Sequence, residues 1–419
     1  MKGLVGCRRL EQLTLRDNAI AEFDLDPSQM PLLTSLDLCN NRLRVLPARI
    51  SELVHLRALN VDRNDLEFVD LLGAPSNVRE LRVSENPRML RQSAGIVDAR
   101  AWHKKFPRLR TLYMDTCYAK QVVNGMTASS DLTGAQVWPG LCNLSLRGYV
   151  TLPSLSIDFS CLQHLRNLYL PDTKVNLPHV MPTLPHLRQL VLSNAGLQRL
   201  PVNLGSALPL LQHLDISNNP ELTDLSPIMH ISTLEVLRAQ SIGITHPTPP
   251  APLYNADGLE EFPPINNTFS ELQASQVPDE CAILQMFSRL RRLRVIDLRF
   301  NKVTEDMYAP AEVPSPEAAT PVTAASSSVF GAQMEMVGAS EGFRGGLRPR
   351  SDTTASAMSA PPQVGFVEAV WQKCDNKYVD LLKRTGRGHV IQRREQYWDL
   401  AIRLFPNLQV LDGSKVPLH

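Results

Sequence analysis

The strongest constraint on this chain is a spacing of apolar residues. Leu33, Leu36 and Leu38 are followed by Asn41 and Leu43, so the order is L-x-x-L-x-L-x-x-N-x-L. The same order returns along most of the sequence, with first positions at residues 10, 33, 56, 78, 109, 141, 165, 187, 211, 234 and 293, and a truncated copy from 408. Seven of the intervals are 22–24 residues long. A fixed period of this length means stacked units that bury one continuous core between neighbours. Within each unit the leucines point inward, and the residues between them point outward along a short strand. The Asn side chain serves backbone groups at the turn that the ladder leaves unmatched.

The pattern resembles the leucine-rich repeat family over most of residues 1–304 and the C-terminus. The resemblance implies an α/β solenoid with a curved parallel sheet on the concave face. Loops and short helices would line the convex face, with about eleven repeats and a C-terminal cap. Asn18, Asn41, Asn64, Asn86, Asn219 and Asn301 keep the family Asn, and Cys117 and Thr173 are tolerated substitutes. Tyr149, Ala195 and Ile242 depart from it, which predicts lost turn bonds and a less regular middle. The residues Tyr397, Ile402, Phe405, Pro406, Leu408, Leu411, Asp412, Gly413 and Val416 resemble the cap that closes intracellular repeat proteins of this type. Phosphatase regulators, axonemal dynein light chains and messenger-RNA export factors carry such a cap. At the other end, Met1 to Arg9 looks like the second half of a missing repeat.

Breaks in the period define the organisation. Residues 1–244 carry repeats one to ten, and the Pro-rich stretch 245–280 reads as an excursion loop. Residues 281–304 carry repeat eleven, led in by a helix over 281–292. Residues 305–363 read as a disordered insertion, because a Pro, Ala, Ser and Thr composition cannot offset chain entropy. Residues 364–419 form a helical segment and the cap, with one or two helices after 364 and another over 390–404. Apolar periodicity also predicts a helix over 93–105, and residues 126–140 read as a loop.

Composition bounds the chemistry. Net charge is +1, which argues against nucleic acid and an acidic membrane. Seven scattered cysteines without a C-x-x-C pair, and no apolar leader, point to a reducing, cytoplasmic setting, with a nuclear or flagellar one as the alternative. No run of 18 apolar residues is present, so no membrane span is expected. No phosphate loop, nucleophile elbow, zinc-binding helix or kinase set occurs, and the ten histidines lie at no metal spacing. The chain therefore reads as a non-enzyme without catalytic residue, metal, cofactor or small-molecule substrate.

The outward strand positions carry the functional expectation, because repeat proteins bind protein partners on the concave face. One column runs Thr14, Asp37, Asn60, Arg82, Tyr113, Ser145, Tyr169, Val191, Asp215, Arg238, Asp297. Its neighbour runs Arg16, Cys39, Asp62, Ser84, Asp115, Arg147, Pro171, Ser193, Ser217, Gln240, Arg299. Tyr and Arg are enriched at interface hot spots, so the predicted contact residues are Asp62, Arg82, Tyr113, Asp115, Arg147, Tyr169, Arg238 and Arg299. Ser315, Thr320 and Ser351 fit phosphorylation motifs, and 247–250 fits a polyproline ligand. An RNA-associated adaptor is the alternative, resting on the cap and the basic segments 289–294 and 383–394; an axonemal or cytoskeletal component is the other, and a short arginine-glycine tract at 344–350 reads as a solvated linker.

Overall fold

The computed structural model describes residues 7–22, 26–46, 48–67, 77–88, 106–115, 140–148, 159–244, 279–308 and 366–416. They form one thirteen-stranded sheet whose spatial order follows the chain. The strands are β1 (Gln12–Thr14), β2 (Ser35–Asp37), β3 (Ala58–Asn60), β4 (Glu80–Arg82), β5 (Thr111–Asp115), β6 (Asn143–Arg147) and β7 (Asn167–Tyr169). They continue with β8 (Gln189–Val191), β9 (His213–Asp215), β10 (Val236–Arg238), β11 (Val295–Asp297), β12 (Val410–Leu411) and β13 (Ser414–Lys415). Every pairing from β1 to β12 is parallel.

The register follows the leucines. Leu13, Leu36, Leu59, Leu81, Leu112, Leu144, Leu168, Leu190, Leu214, Leu237, Ile296 and Leu411 lie opposite one another from β1 to β12. All twelve are buried and belong to one core. Burying a leucine fully is worth about 1.5–3 kcal/mol, so this column sets the coil register far more firmly than any surface contact.

The Asn residues fasten one coil to the next. Asn86 Nδ2 donates to the carbonyls of Val83 and Ser84 in its own coil and of Val61 in the coil before, and its Oδ1 accepts from Leu66 N. Asn41, Asn64, Asn219 and Asn301 repeat this arrangement. Thr173 supplies part of it through Oγ1, which donates to Leu146 O and Pro171 O. The expected loosening of the middle is not seen in the strand ladder. Ala195 and Ile242 still have their amides bound by Asn219 and Asn301 of the following coil. β5 and β6 pair over five residues, Thr111↔Asn143 through Asp115↔Arg147, whereas their neighbours pair over three. Tyr149 and Cys117 lie outside the described residues.

The residue before each Asn position takes a left-handed conformation. Asp17, Asn40, Arg63, Glu85, Asn218 and Phe300 all have φ between 55° and 62°. Gly148 occupies that position in the sixth coil, where an added Cβ would stand 2.0 Å from Asp172 O. Adjacent turns approach too closely there for any side chain.

The C-terminal region corrects several sequence boundaries. The helix expected over 281–292 is α2 (Asp279–Met286), following the short α1 (Leu204–Ala207). Asp279 and Glu280, assigned to the excursion, begin it, where acidic residues favour the positive end of the helix dipole. Residues 305–308, assigned to the disordered insertion, are packed: Met307 and Tyr308 are fully buried. A single α3 (Phe366–Arg384) is followed by α4 (Gly388–Leu404), two residues earlier than the expected start. Tyr397, Leu400, Ala401 and Leu404 line one buried stripe of α4 at helical spacing. β12 then turns back antiparallel into β13 through Asp412 and Gly413, whose φ angles are 47° and 75°. This is the primed turn that suits a two-residue hairpin. Among the described residues the last strand of the sheet is two residues long. The expected helix over 93–105, the loop at 126–140, residues 245–278, the insertion from 309 to 363 and Ser315, Thr320 and Ser351 lie outside the described residues.

Candidate interaction surface

The first outward column is in register from Thr14 to Asp297. Arg82 lies opposite Tyr113, Tyr113 opposite Ser145, and Ser145 opposite Tyr169. In the second column Asp115 lies opposite Arg147.

The column does different work along its length. Asp37, Asn60, Asp215 and Asp297 each accept, through Oδ1, the backbone N–H two residues ahead. Such turns satisfy the strand end locally, and all four side chains are buried. No Asp or Asn occupies the column from the fourth to the eighth coil, where it reads Arg82, Tyr113, Ser145, Tyr169, Val191. Arg82, Tyr113, Ser145 and Tyr169 are half-buried there, whereas Val191 is buried. The candidate surface is the stretch between the two structural blocks.

Within it the side chains are held in place. The Arg82 guanidinium stacks over the Tyr113 ring at 4.2 Å and meets Glu80 at 3.2 Å. Asp62 and Tyr113 hold Arg82 above its usual range, against the burial that opposes its charge. Arg147 Nη1 lies 2.6 Å from Glu85 Oε1, and Arg63 reaches the same carboxylate at 3.1 Å. The Tyr169 hydroxyl donates to Gln189 Oε1, and Gln189 Nε2 lies 3.0 Å from His213 Nδ1. Burial lowers the His213 pKa, so the neutral ring accepts the amide proton. Burial, helped by Tyr113, pushes the Tyr169 hydroxyl up to about 12.

Of the eight predicted contact residues, Asp62, Arg82, Tyr113, Arg147 and Tyr169 come together across β3 to β7, all half-buried. Arg238 is half-buried too but three strands further on, beside the buried Asp215. Two expectations fail on accessibility. Asp115 is fully buried and accepts the Glu85 N–H at 2.9 Å, so it supports the turn of the preceding coil. Arg299 is 5% exposed and binds Asp297 through both carboxylate oxygens. Sequence reasoning missed Glu85, Gln189 and His213. Glu85 sits at a turn outside the two columns, and no signal links it to Arg147, 62 residues away.

Three arginines of the basic segments cited for RNA association have internal partners. Arg393 bridges Glu280 and Asp306, Arg394 pairs with Asp375, and Arg291 donates to Leu404 O.

A period of leucines, a parallel sheet in chain order and Asn fasteners between coils define a leucine-rich repeat solenoid fold. The leucine rich repeat family model matches residues 8–66. CD180 antigen of Mus musculus is 25% identical over 236 residues, 52% of this chain and 32% of that protein, so the chain spans about a third of its length. Among solved structures, the TLR13–ssRNA13 complex is 20% identical with a TM-score of 0.39, covering 70% of this chain and 43% of that one. Human 5T4, the trophoblast glycoprotein, is 23% identical with a TM-score of 0.38, covering 56% and 89%. An internalin of Listeria monocytogenes is 12% identical with a TM-score of 0.39, covering 70% and 82%. No described helix is long and apolar enough to cross a membrane.

Proposed function

We propose that this protein is a non-enzymatic scaffold or regulatory subunit that binds a protein partner through Arg82, Tyr113, Arg147 and Tyr169. The carrying observation is the Arg82–Tyr113 stack beside the Glu85-anchored Arg147. These are hot-spot residue types whose rotamers are already restrained, so ordering them on binding costs little. Residues 366–416 serve as the closing cap of an intracellular solenoid. Cys7, Cys39, Cys142 and Cys281 are free thiols, which suits a reducing compartment.

The test is affinity purification from intact cells with the wild-type chain and the triple variant Tyr113→Ala/Arg147→Ala/Tyr169→Ala. At least one partner should be lost while circular dichroism stays unchanged. An unaltered set of captured proteins from a folded variant rejects the surface.

A further inference from the structure

A second surface lies on the rim where the strands begin. The residue before each strand forms its own backbone column. Arg79 N donates to Arg57 O, Arg110 N to Arg79 O, Cys142 N to Arg110 O, Arg166 N to Cys142 O, and Arg188 N to Arg166 O, all at 2.7–2.8 Å. Arginine thus occupies the third, fourth, fifth, seventh and eighth coils along one edge. Strands stand about 4.8 Å apart, so the row spans on the order of 25 Å.

All five arginines are exposed. None forms an ion pair with a described residue, in contrast to Arg82, Arg147, Arg393 and Arg394. The column two residues earlier adds His55, Arg108, His164 and His186, all exposed, with the His164 and His186 rings stacked at 6.3 Å between centroids. Neither column holds an acidic side chain between residues 55 and 188. Glu80, the nearest carboxylate in the adjoining column, is turned to Arg82 at 3.2 Å. Arg79, Arg108 and Arg110 also line a hollow of about 210 Å³, floored in part by Gly140, where an added Cβ would meet nothing within 4 Å. Guanidiniums in a row without an ion pair to any described residue, beside a hollow, make a field complementary to a linear anion.

We propose that this arginine rim docks an acidic, extended polypeptide segment of a partner, with one carboxylate seated among Arg79, Arg108 and Arg110. The described rim offers no tyrosine, tryptophan or phenylalanine on which bases could stack, and stacking is what single-stranded nucleic acid takes from its protein sites. An extended chain rising about 3.3 Å per residue presents alternate carboxylates about 6.6 Å apart, which lets them fall between guanidiniums one or two coils apart. The rim is separate from the concave patch, and the proposal does not depend on it.

The test uses the full chain and a fluorescein-labelled poly-glutamate peptide, with oligouridylate and phosphatidylserine vesicles as competing probes. The wild type should bind poly-glutamate, more weakly as salt rises. Arg79→Glu/Arg110→Glu and Arg166→Glu/Arg188→Glu should each weaken it at least about tenfold, since like charge repels across an interface. The milder Arg79→Gln/Arg110→Gln, checked by circular dichroism, guards against misfolding and should weaken it less. Tyr113→Ala/Arg147→Ala/Tyr169→Ala should leave it unchanged, which separates failure of the rim from failure of the concave surface. Poly-glutamate binding that is absent, or indifferent to the folded rim variants, overturns the proposal. So does tighter, rim-dependent binding of oligouridylate or vesicles.

Discussion

Arg147 Nη1 stands 2.6 Å from Glu85 Oε1, joining the sixth coil to the turn of the fourth across the whole of the fifth. Glu85 in turn holds Arg63, and its own amide is bound by the buried Asp115. One carboxylate at a turn therefore positions two arginines, one of them in the candidate surface. Arg147 and Glu85 are 21% and 31% exposed, so solvent screens the pair. A double-mutant cycle with Arg147→Ala and Glu85→Ala should give a coupling of about 0.5–1 kcal/mol, falling in high salt. Glu85→Ala alone should also weaken partner capture, since it frees Arg147. Coupling near zero would show that the pair does not position Arg147.

The Asn fasteners should dominate local stability. Asn86→Ala removes the partner of Leu66 N and of the carbonyls of Val61, Val83 and Ser84. Leaving buried groups unmatched should cost about 2–4 kcal/mol. Asn18, exposed at the first coil, should cost well under half of that when changed to Ala. Denaturant midpoints of the two variants make the comparison, and equal losses would refute it.

Asp412 makes the closing hairpin sensitive to pH. It accepts from Leu298 N at 2.6 Å and from the Tyr308 hydroxyl at 2.5 Å. Burial and the neighbouring Asp297 carboxylate push its pKa up to about 6. The folded state therefore binds this proton where the unfolded chain, at the ordinary 3.8, does not. Its stabilising contribution is complete below about pH 4 and is lost as pH rises through about 6. Measured across pH 4 to 7, Asp412→Asn should gain stability relative to the wild type as pH rises. A constant difference would show that Asp412 is not the titrating group.

Two thiols should be inert. Burial pushes Cys39 up to about 11 and Cys281 up to about 12, each aided by a neighbouring carboxylate, Asp62 and Glu280 respectively. Only the thiolate is nucleophilic, so at neutral pH iodoacetamide should spare both in the native protein and label both in denaturant. Peptide mass spectrometry reads the result. Cys7 and Cys142, which are partly exposed, should label first.

The left-handed turn position invites a stabilising change. Ser241 has φ 50° where other coils use Asn40, Asn194 and Asn218. Asn tolerates that conformation better, so Ser241→Asn should raise stability by about 0.5–1 kcal/mol. A lower melting temperature would count against the strain.

The interval between leucines was enough to predict the solenoid and the strand positions that alternate with its buried leucines. A strand alternates its side chains strictly, so a leucine at one position determines which neighbours face out. Accessibility was not legible in the same way. Asp115 and Arg299 occupy outward positions, but one caps a turn of the preceding coil and the other folds back on Asp297. Tyr308 belongs by composition to the edge of a Pro-rich insertion, yet it fills the cap between Asp412, Trp398 and Arg394. The periodicity of the sequence decided the stack, because each coil needs only its neighbours to bury its leucines. The tertiary structure decided which outward groups stay free, because that depends on partners one or more coils away, whose distance along the chain the period does not encode.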